Sequence, residues 1–169
     1  MKSNHEISTT YGITVSKKVL SKDINWVLVT SAKTDWSGTY LVGSEKNSES
    51  SAKDIIFADF SEFSSGDVSG TKITVPSTNI ISDNSDSYLA DAITISPSST
   101  TTGKYSIVGN DKYFGRNANS NGMDVLATTE SYTSNYDNDI SYTTDHVTIA
   151  GNGGRTFTYL SSNSNCLSI

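Results

Sequence analysis

The sequence predicts an all-β domain, and three observations carry that prediction. Of the 169 residues, 30 are Ser, 21 are Thr and 14 are Asn, whereas only 34% are hydrophobic and 18% are charged. The apolar residues occur in short runs, several with a two-residue period, bounded by Gly, Asn, Asp and Ser, which is the pattern of β-strands. Helical spacing is nearly absent, and the one stretch that allows it, residues 49–60, contains an Ile-Ile-Phe run that favours a strand.

Eleven segments carry the strand pattern. In chain order they are residues 24–30, 39–42, 54–58, 72–75, 88–95, 105–108, 112–114, 125–128, 146–150, 156–160 and 166–169. The first is apolar on both faces, so we expect it to be a central strand with Trp26 in the core. Turn residues that tolerate positive φ separate several of the segments, among them Asn110-Asp111, Asn121-Gly122 and residues 151–154, as hairpins require.

Short antiparallel strands at this spacing form either a barrel or a two-sheet sandwich. We predict an antiparallel β-barrel, with the β-trefoil as one form of it, and keep the sandwich as the alternative. The trefoil idea comes from a faint repeat, because residues 106–110 resemble residues 148–152, which follow 42 positions later. Residues 1–23 are polar and read as a linker or an edge strand, and residues 24–169 as a single domain.

Charge and composition exclude several classes of function. The net charge is -6 with only two Arg, so there is no basic surface for nucleic acid. No apolar run approaches the length of a membrane span, and the first residues lack the pattern of a signal peptide. The chain has one Cys and no N-x-Ser/Thr sequon despite its 51 Ser and Thr. A composition rich in Ser, Thr, Asn and Gly and poor in Lys and Arg is typical of bacterial surface and secreted modules. We therefore expect an extracellular or cell-surface location, as part of a longer exported bacterial protein.

Catalytic signatures are absent, so the sequence predicts a protein that is not an enzyme. The hydrolase alternative is a base formed by Asp145 and His146 acting with one of the many serines. With two His and one Cys, a transition-metal site is not expected. Calcium needs clustered oxygen ligands, which Asp137 and Asp139 supply best and residues 83–86 supply second best. No other cofactor is expected.

Once these functions are set aside, the function that the sequence still supports is recognition by a surface made of aromatic and amide side chains. Trp36, in an Asp-Trp-Ser-Gly turn, either stacks on a sugar or peptide or caps one end of the barrel, and the cap is the favoured reading. The loop of residues 132–139 offers Tyr132 and Tyr136 among Asn and Asp, and these rings either bind a ligand or pack flat over the sheet. A second polar loop supplies the remaining predicted ligand-binding residues, Arg116, Asn117 and Asn119.

The order of motifs from residue 25 onward resembles a β-rich accessory domain that recurs in large secreted multidomain proteins of gut bacteria. The motifs are WVLVTS at 26–31, WSGTYLV at 36–42, IFA at 56–58, GKYSI at 103–107, KYFG at 112–115 and NSNGM at 119–123. The resemblance implies a non-catalytic module with neighbouring domains. Members of that family continue beyond the strand equivalent to residues 157–160, so we expect this chain to be a piece of a longer one. The resemblance supplies no activity for any residue; from the composition and the aromatic loops, we expect this chain to serve in adhesion, in carbohydrate or protein binding, or as a structural spacer.

Overall fold

The computed structural model describes residues 24–45, 53–64, 67–75, 80–83, 88–116, 122–143, 146–160 and 166–168. Strands dominate this part of the chain, and it contains two short 3-10 helices, Leu89–Asp91 and Ser134–Tyr136, but no α-helix. The all-β prediction is confirmed. No helix of the described part is long and apolar enough to cross a membrane.

The described strands fall into two main sheets and a separate ribbon, all antiparallel. In chain order the strands are β1 Ile24–Val27, β2 Gly38–Tyr40, β3 Gly43–Glu45, β4 Lys53–Ser64, β5 Asp67–Val75, β6 Ile80–Asp83, β7 Ile93–Pro97, β8 Tyr105–Gly109, β9 Lys112–Gly115, β10 Asp124–Ala127, β11 Asn138–Thr143, β12 His146–Gly151, β13 Thr158–Leu160 and β14 Cys166–Ser168. The ribbon pairs β1 with β6, and a five-stranded sheet has the order β13-β14-β5-β4-β3.

The seven-stranded sheet is built around β8 and branches there. One edge of β8 pairs with β7, which pairs in turn with β2. The other edge is shared, because Ile107 to Gly109 pair with β9 whereas Tyr105 pairs with Asn138 of β11. The buried Asn138 amide stands at this branch and donates to the carbonyl oxygens of Phe114 at 3.0 Å and Tyr136 at 2.8 Å. It thereby satisfies backbone acceptors where the regular ladder is interrupted.

The core lies between the two main sheets. Phe60 of β4 meets Phe114 of β9 edge to face, with ring centroids 4.8 Å apart, and both side chains are buried. Around them pack the other buried apolar residues: Trp36, Ala58, Ile93, Ile95, Ile107, Met123 and Ile149. The alternation along β7 explains the packing, because Ile93 and Ile95 face the core while Thr94 between them is exposed. The packing is that of a sandwich-like all-β domain, and the described strands do not close into a barrel.

Three strand predictions need correction. The first segment was expected to be a central strand, but β1 pairs only with β6 among the described strands, and Val27 is 67% exposed. The segment at 88–95 begins instead as the 3-10 helix Leu89–Asp91. Three strands, β3, β6 and β11, form where none was predicted, and β11 occupies part of the stretch that was read as a loop.

Several sequence predictions lie outside the described residues: the linker or edge strand at 1–23, the ligand residues Asn117 and Asn119, the Asn121 end of one turn, the base partner Asp145 and the acidic residues at 84–86. The two copies of the faint repeat both fall on a strand that ends in a turn, at β8 and at β12. These two copies do not by themselves make a trefoil.

Candidate functional site

Two of the predicted site residues, Tyr132 and Asp137, meet in a cluster of hydroxyl groups. The Asp137 side chain is fully buried at the start of β11. The Tyr132 phenol donates to Asp137 Oδ1 at 2.7 Å, the Ser98 hydroxyl donates to the same oxygen, and the Thr100 hydroxyl donates to Oδ2 at 3.1 Å. A buried carboxylate requires such donors, because moving its charge out of water without them costs on the order of several kcal/mol.

The hydrogen bonds outweigh burial in setting the ionisation of this carboxylate. Burial alone raises the pKa of Asp137, but donation from Ser98, Thr101, Tyr132 and Thr100 brings the pKa below its usual value. Burial, together with the bond to Asp137, raises the pKa of the Tyr132 phenol well above its ordinary value. At neutral pH the pair is therefore a carboxylate that accepts from a protonated phenol.

Asp139 is exposed and forms an ion pair with Lys104, with 2.7 Å between Nζ and Oδ2. Asp137 and Asp139 thus both hold the loop of residues 98–104, which connects β7 and β8, from the side of β11. A calcium ion at these two carboxylates would have to displace an ammonium group and several hydroxyl donors. No group of three or more His, Cys, Asp or Glu side chains converges in the described part of the chain. Calcium binding stays a prediction.

The Tyr132 ring rests on Tyr113, a residue that the sequence did not single out. Their ring centroids are 4.8 Å apart with an interplanar angle of 63°, which is the edge-to-face arrangement that aromatic pairs favour. Tyr113 points away from the core because its neighbour Phe114 is fully buried. Both tyrosine side chains are half-buried.

Tyr113 belongs to a row of side chains that crosses five strands of the large sheet on its outer face. The register pairs Thr39 with Thr94, Thr94 with Val108, Val108 with Tyr113, and Tyr113 with Leu126. We call these five residues the Tyr113 row. Four strand spacings give it a length of about 19 Å. Thr39 and Thr94 are exposed, and the other three side chains are half-buried, so the row presents hydroxyl and aromatic groups to solvent.

Trp36 does not present its ring to a ligand in this structure. The predicted turn is formed, with Asp35 Oδ1 accepting from the backbone N–H of Ser37 at 2.9 Å and from its hydroxyl at 2.7 Å. The Trp36 side chain is only 4% exposed, however, and belongs to the core. The predicted role of Trp36 in stacking on a ligand is therefore corrected, because the ring is buried. The favoured alternative, a cap at one end of a barrel, agrees with this burial, although the described strands do not close into a barrel.

Arg116 is also buried and has a packing role at the end of β9. Its guanidinium bonds Asp124 at 3.0 Å, and its carbonyl oxygen accepts from the N–H of Gly153 at 2.6 Å. The second contact fastens the turn after β12 to the end of β9. Gly151 lies so close that a Cβ there would stand 2.8 Å from Arg116 Cβ. The prediction that Arg116 binds a ligand does not fit a side chain in this position.

Tyr136 lies in the 3-10 helix Ser134–Tyr136 and is half-buried. Its phenol donates to the carbonyl oxygen of Val125 at 3.2 Å, and its Cα would stand 2.7 Å from a Cβ at Gly115. Burial, followed by the charges of Asp124 and Glu130, raises the pKa of this phenol. Tyr136 therefore docks its helix on the β9–β10 hairpin, whereas Tyr132 is the tyrosine that joins the outer face.

Two features bear on the hydrolase alternative: the position of His146, whose predicted partner Asp145 lies outside the described residues, and a contact between two carboxyl groups. His146 begins β12 and is exposed. Asp59 and Asp91 are in hydrogen-bond contact, and burial, the charge of Asp59 and that hydrogen bond raise the pKa of Asp91. Glycosidase carboxyls stand about 5 Å apart or more, which leaves room for the sugar or water between them, so direct contact does not match that chemistry.

Of the residues that could not be named from the sequence, Tyr113 alone had a recognisable signal. Tyr113 alternates with Phe114 in a short strand, so burial of one ring places the other outside. Ser98 and Thr100 lie in residues 96–103, whose Ser- and Thr-rich composition predicts a low-complexity loop, and Lys104 directly follows that segment. Nothing in that composition indicates that a distant aspartate uses the hydroxyls as donors.

Comparison with protein-family models, with curated proteins and with solved structures finds no match for this chain. The resemblance to the accessory domains of gut bacteria therefore rests on the motifs alone.

Proposed function

We propose that this chain is a non-catalytic binding module of an exported bacterial protein, and that it binds carbohydrate on the outer face of the seven-stranded sheet. The observation that carries the proposal is the Tyr113 row with Tyr132 packed beside it. Tyrosine rings offer flat apolar faces, and the exposed Thr39 and Thr94 offer hydroxyl groups. This combination suits the alternating C–H and O–H surfaces of a sugar chain.

The location and context of the module are part of the same proposal. An acidic chain with few Arg, rich in Ser, Thr and Asn, fits a secreted or cell-surface protein in which neighbouring domains supply any catalysis. The ligand-free spacer is the competing function. It requires that the outer face have no affinity for any glycan.

The experiment is a glycan microarray followed by calorimetric titration of the glycans that bind. We expect Thr94→Arg to weaken binding at least about tenfold, a loss of about 1.4 kcal/mol, because it places a long charged side chain in the middle of the row without disturbing the core. Tyr113→Ala should have an effect of at least that size, with folding checked by circular dichroism.

The matched control is Thr143→Arg, another exposed strand threonine, at the far end of the β11–β12 hairpin. It should bind as the original chain does. Equal binding by all variants would remove the outer face as the site. A folded chain that binds no glycan on the array would favour the spacer.

A further inference from the structure

Asp137 connects two loops that are distant in sequence. Its donors Ser98 and Thr100 belong to the loop between β7 and β8, whereas Tyr132 belongs to the segment between β10 and β11. The first loop is closed on itself by the bond from the N–H of Ser98 to the carbonyl oxygen of Lys104 at 2.8 Å. One buried carboxylate therefore fixes the position of a closed loop relative to a tyrosine.

The Tyr132 side chain is consequently held at two points. Its ring is held against Tyr113, and its phenol is held by Asp137. A tyrosine has two side-chain torsions, and these two contacts determine both of them. Ordering a side chain before the ligand arrives removes about 0.5–1.5 kcal/mol of entropic penalty from binding.

We propose that Asp137 is a positioning residue, which acts through the Tyr132 phenol to hold that ring beside Tyr113 and so preorganises the carbohydrate site. The part that concerns carbohydrate rests on the proposed function. The part that concerns the ring can be tested without any ligand. Asp137 itself is buried and does not contact the ligand.

The test is a double-mutant cycle that combines Asp137→Asn with Tyr132→Phe. The first keeps the shape of the side chain and removes its charge, and the second keeps the ring and removes the donor. Each single variant should weaken binding of cellohexaose, xylohexaose or mannohexaose, whichever the original chain binds, by roughly two- to tenfold. The double variant should be no weaker than the weaker single one, because both changes act on the same charge-assisted hydrogen bond from the phenol to residue 137.

The second readout is the nuclear Overhauser effect between the rings at positions 113 and 132, measured with labelled aromatic residues and no ligand. It should be strong in the original chain and lose most of its intensity in both single variants. Asp139→Asn is the matched control, since it breaks the exposed ion pair to the same loop and leaves the phenol bond in place. The ring contact should persist in that variant.

Persistence of the ring contact in Tyr132→Phe, a variant that keeps all core packing, would overturn the positioning role even if Asp137→Asn fails to fold. Additive losses in the cycle would overturn it as well. If the original chain binds no glycan on the array but the ring contact depends on Asp137, the positioning role stands and the proposed carbohydrate ligand fails.

Discussion

At the scale of single residues, Gly109 shows how tightly the two main sheets meet. A Cβ at this position would lie 2.8 Å from Phe60 Cβ and 3.3 Å from Ile93 Cγ2. Gly109→Ala must push the Phe60 ring out of its contact with Phe114, so we expect a loss of about 1–3 kcal/mol in the free energy of unfolding. Urea denaturation measures it. The exposed Thr143→Ala should stay within about 0.5 kcal/mol of the original chain, and an unchanged Gly109→Ala would contradict the packing described here.

Residue identity predicted turns better than it predicted exposure. The Asp-Trp-Ser-Gly sequence correctly indicated the turn at Asp35, because the aspartate can accept from backbone two residues later wherever the turn lies. Whether Trp36 faces solvent depends on what packs against the turn, and those residues are distant in sequence. The same reason explains why Arg116 is buried although it was predicted to bind a ligand.

At the scale of elements, the β8–β9 hairpin carries a conformational penalty that can be removed. Asn110 and Asp111 form its turn with φ angles of 44° and 56°, a region that residues other than Gly occupy at a cost. Asp111→Gly produces the preferred Asn-Gly hairpin turn, and we expect it to raise the free energy of unfolding by about 0.5–1 kcal/mol.

Thermal unfolding of Asp111→Gly and Asp111→Ala checks this prediction. The alanine variant loses the aspartate side chain as well but keeps the strain, so its melting temperature should not rise. The bond from the N–H of Thr128 to the carbonyl oxygen of residue 111, 2.9 Å long, uses the backbone and remains in both variants. If the melting temperature rose equally in both variants, the gain would come from loss of the aspartate side chain and not from relief of the strain.

Strand prediction succeeded where apolar alternation was continuous and failed where turn residues interrupted it. β11 begins with Asn-Asp, a pair typical of turns, yet Ile140 and Tyr142 keep the two-residue period and the strand pairs with β12 along its whole length. β6 is only four residues long, and its partner β1 lies more than fifty residues earlier. Such pairing depends on long-range register, which a local pattern does not contain.

At the scale of the whole molecule, composition predicted the fold class, but it did not decide between barrel and sandwich. That choice depends on how strands meet at the sheet edges, and here the shared edge of β8 divides the sheet into two branches. The candidate site also depends on contacts between parts of the chain that are distant in sequence. Tyr132 could be proposed from its loop, but the residues around it come from two other parts of the chain. Tyr113 lies in β9, and Ser98 and Thr100, which bond the same carboxylate of Asp137, lie in the loop between β7 and β8.

Two carboxylates have opposite effects on the stability of the fold as the pH changes. Asp137 has a lowered pKa, so its contribution to stability is present at neutral pH and is lost as the pH falls through the folded-state pKa. Burial and the neighbouring Asp59 raise the pKa of Asp91. Folding therefore favours the protonated form of Asp91, and its ionisation destabilises the fold as the pH rises through the raised pKa.

Asp91→Asn should consequently stabilise the protein at pH 7, by less than about 1 kcal/mol since the group is partly exposed. The gain in the free energy of unfolding should vanish below about pH 4, the ordinary pKa of an aspartate, because the carboxyl group of the original chain is then protonated in both the folded and the unfolded state. Urea denaturation at both pH values measures it. The control Asp35→Asn makes the same change of net charge, from -6 to -5, but removes a carboxylate whose pKa is lowered by its bonds to Ser37. Asp35→Asn should not raise the free energy of unfolding at pH 7. If both variants raised it equally, overall charge repulsion, rather than the contact between Asp59 and Asp91, would be what opposes folding.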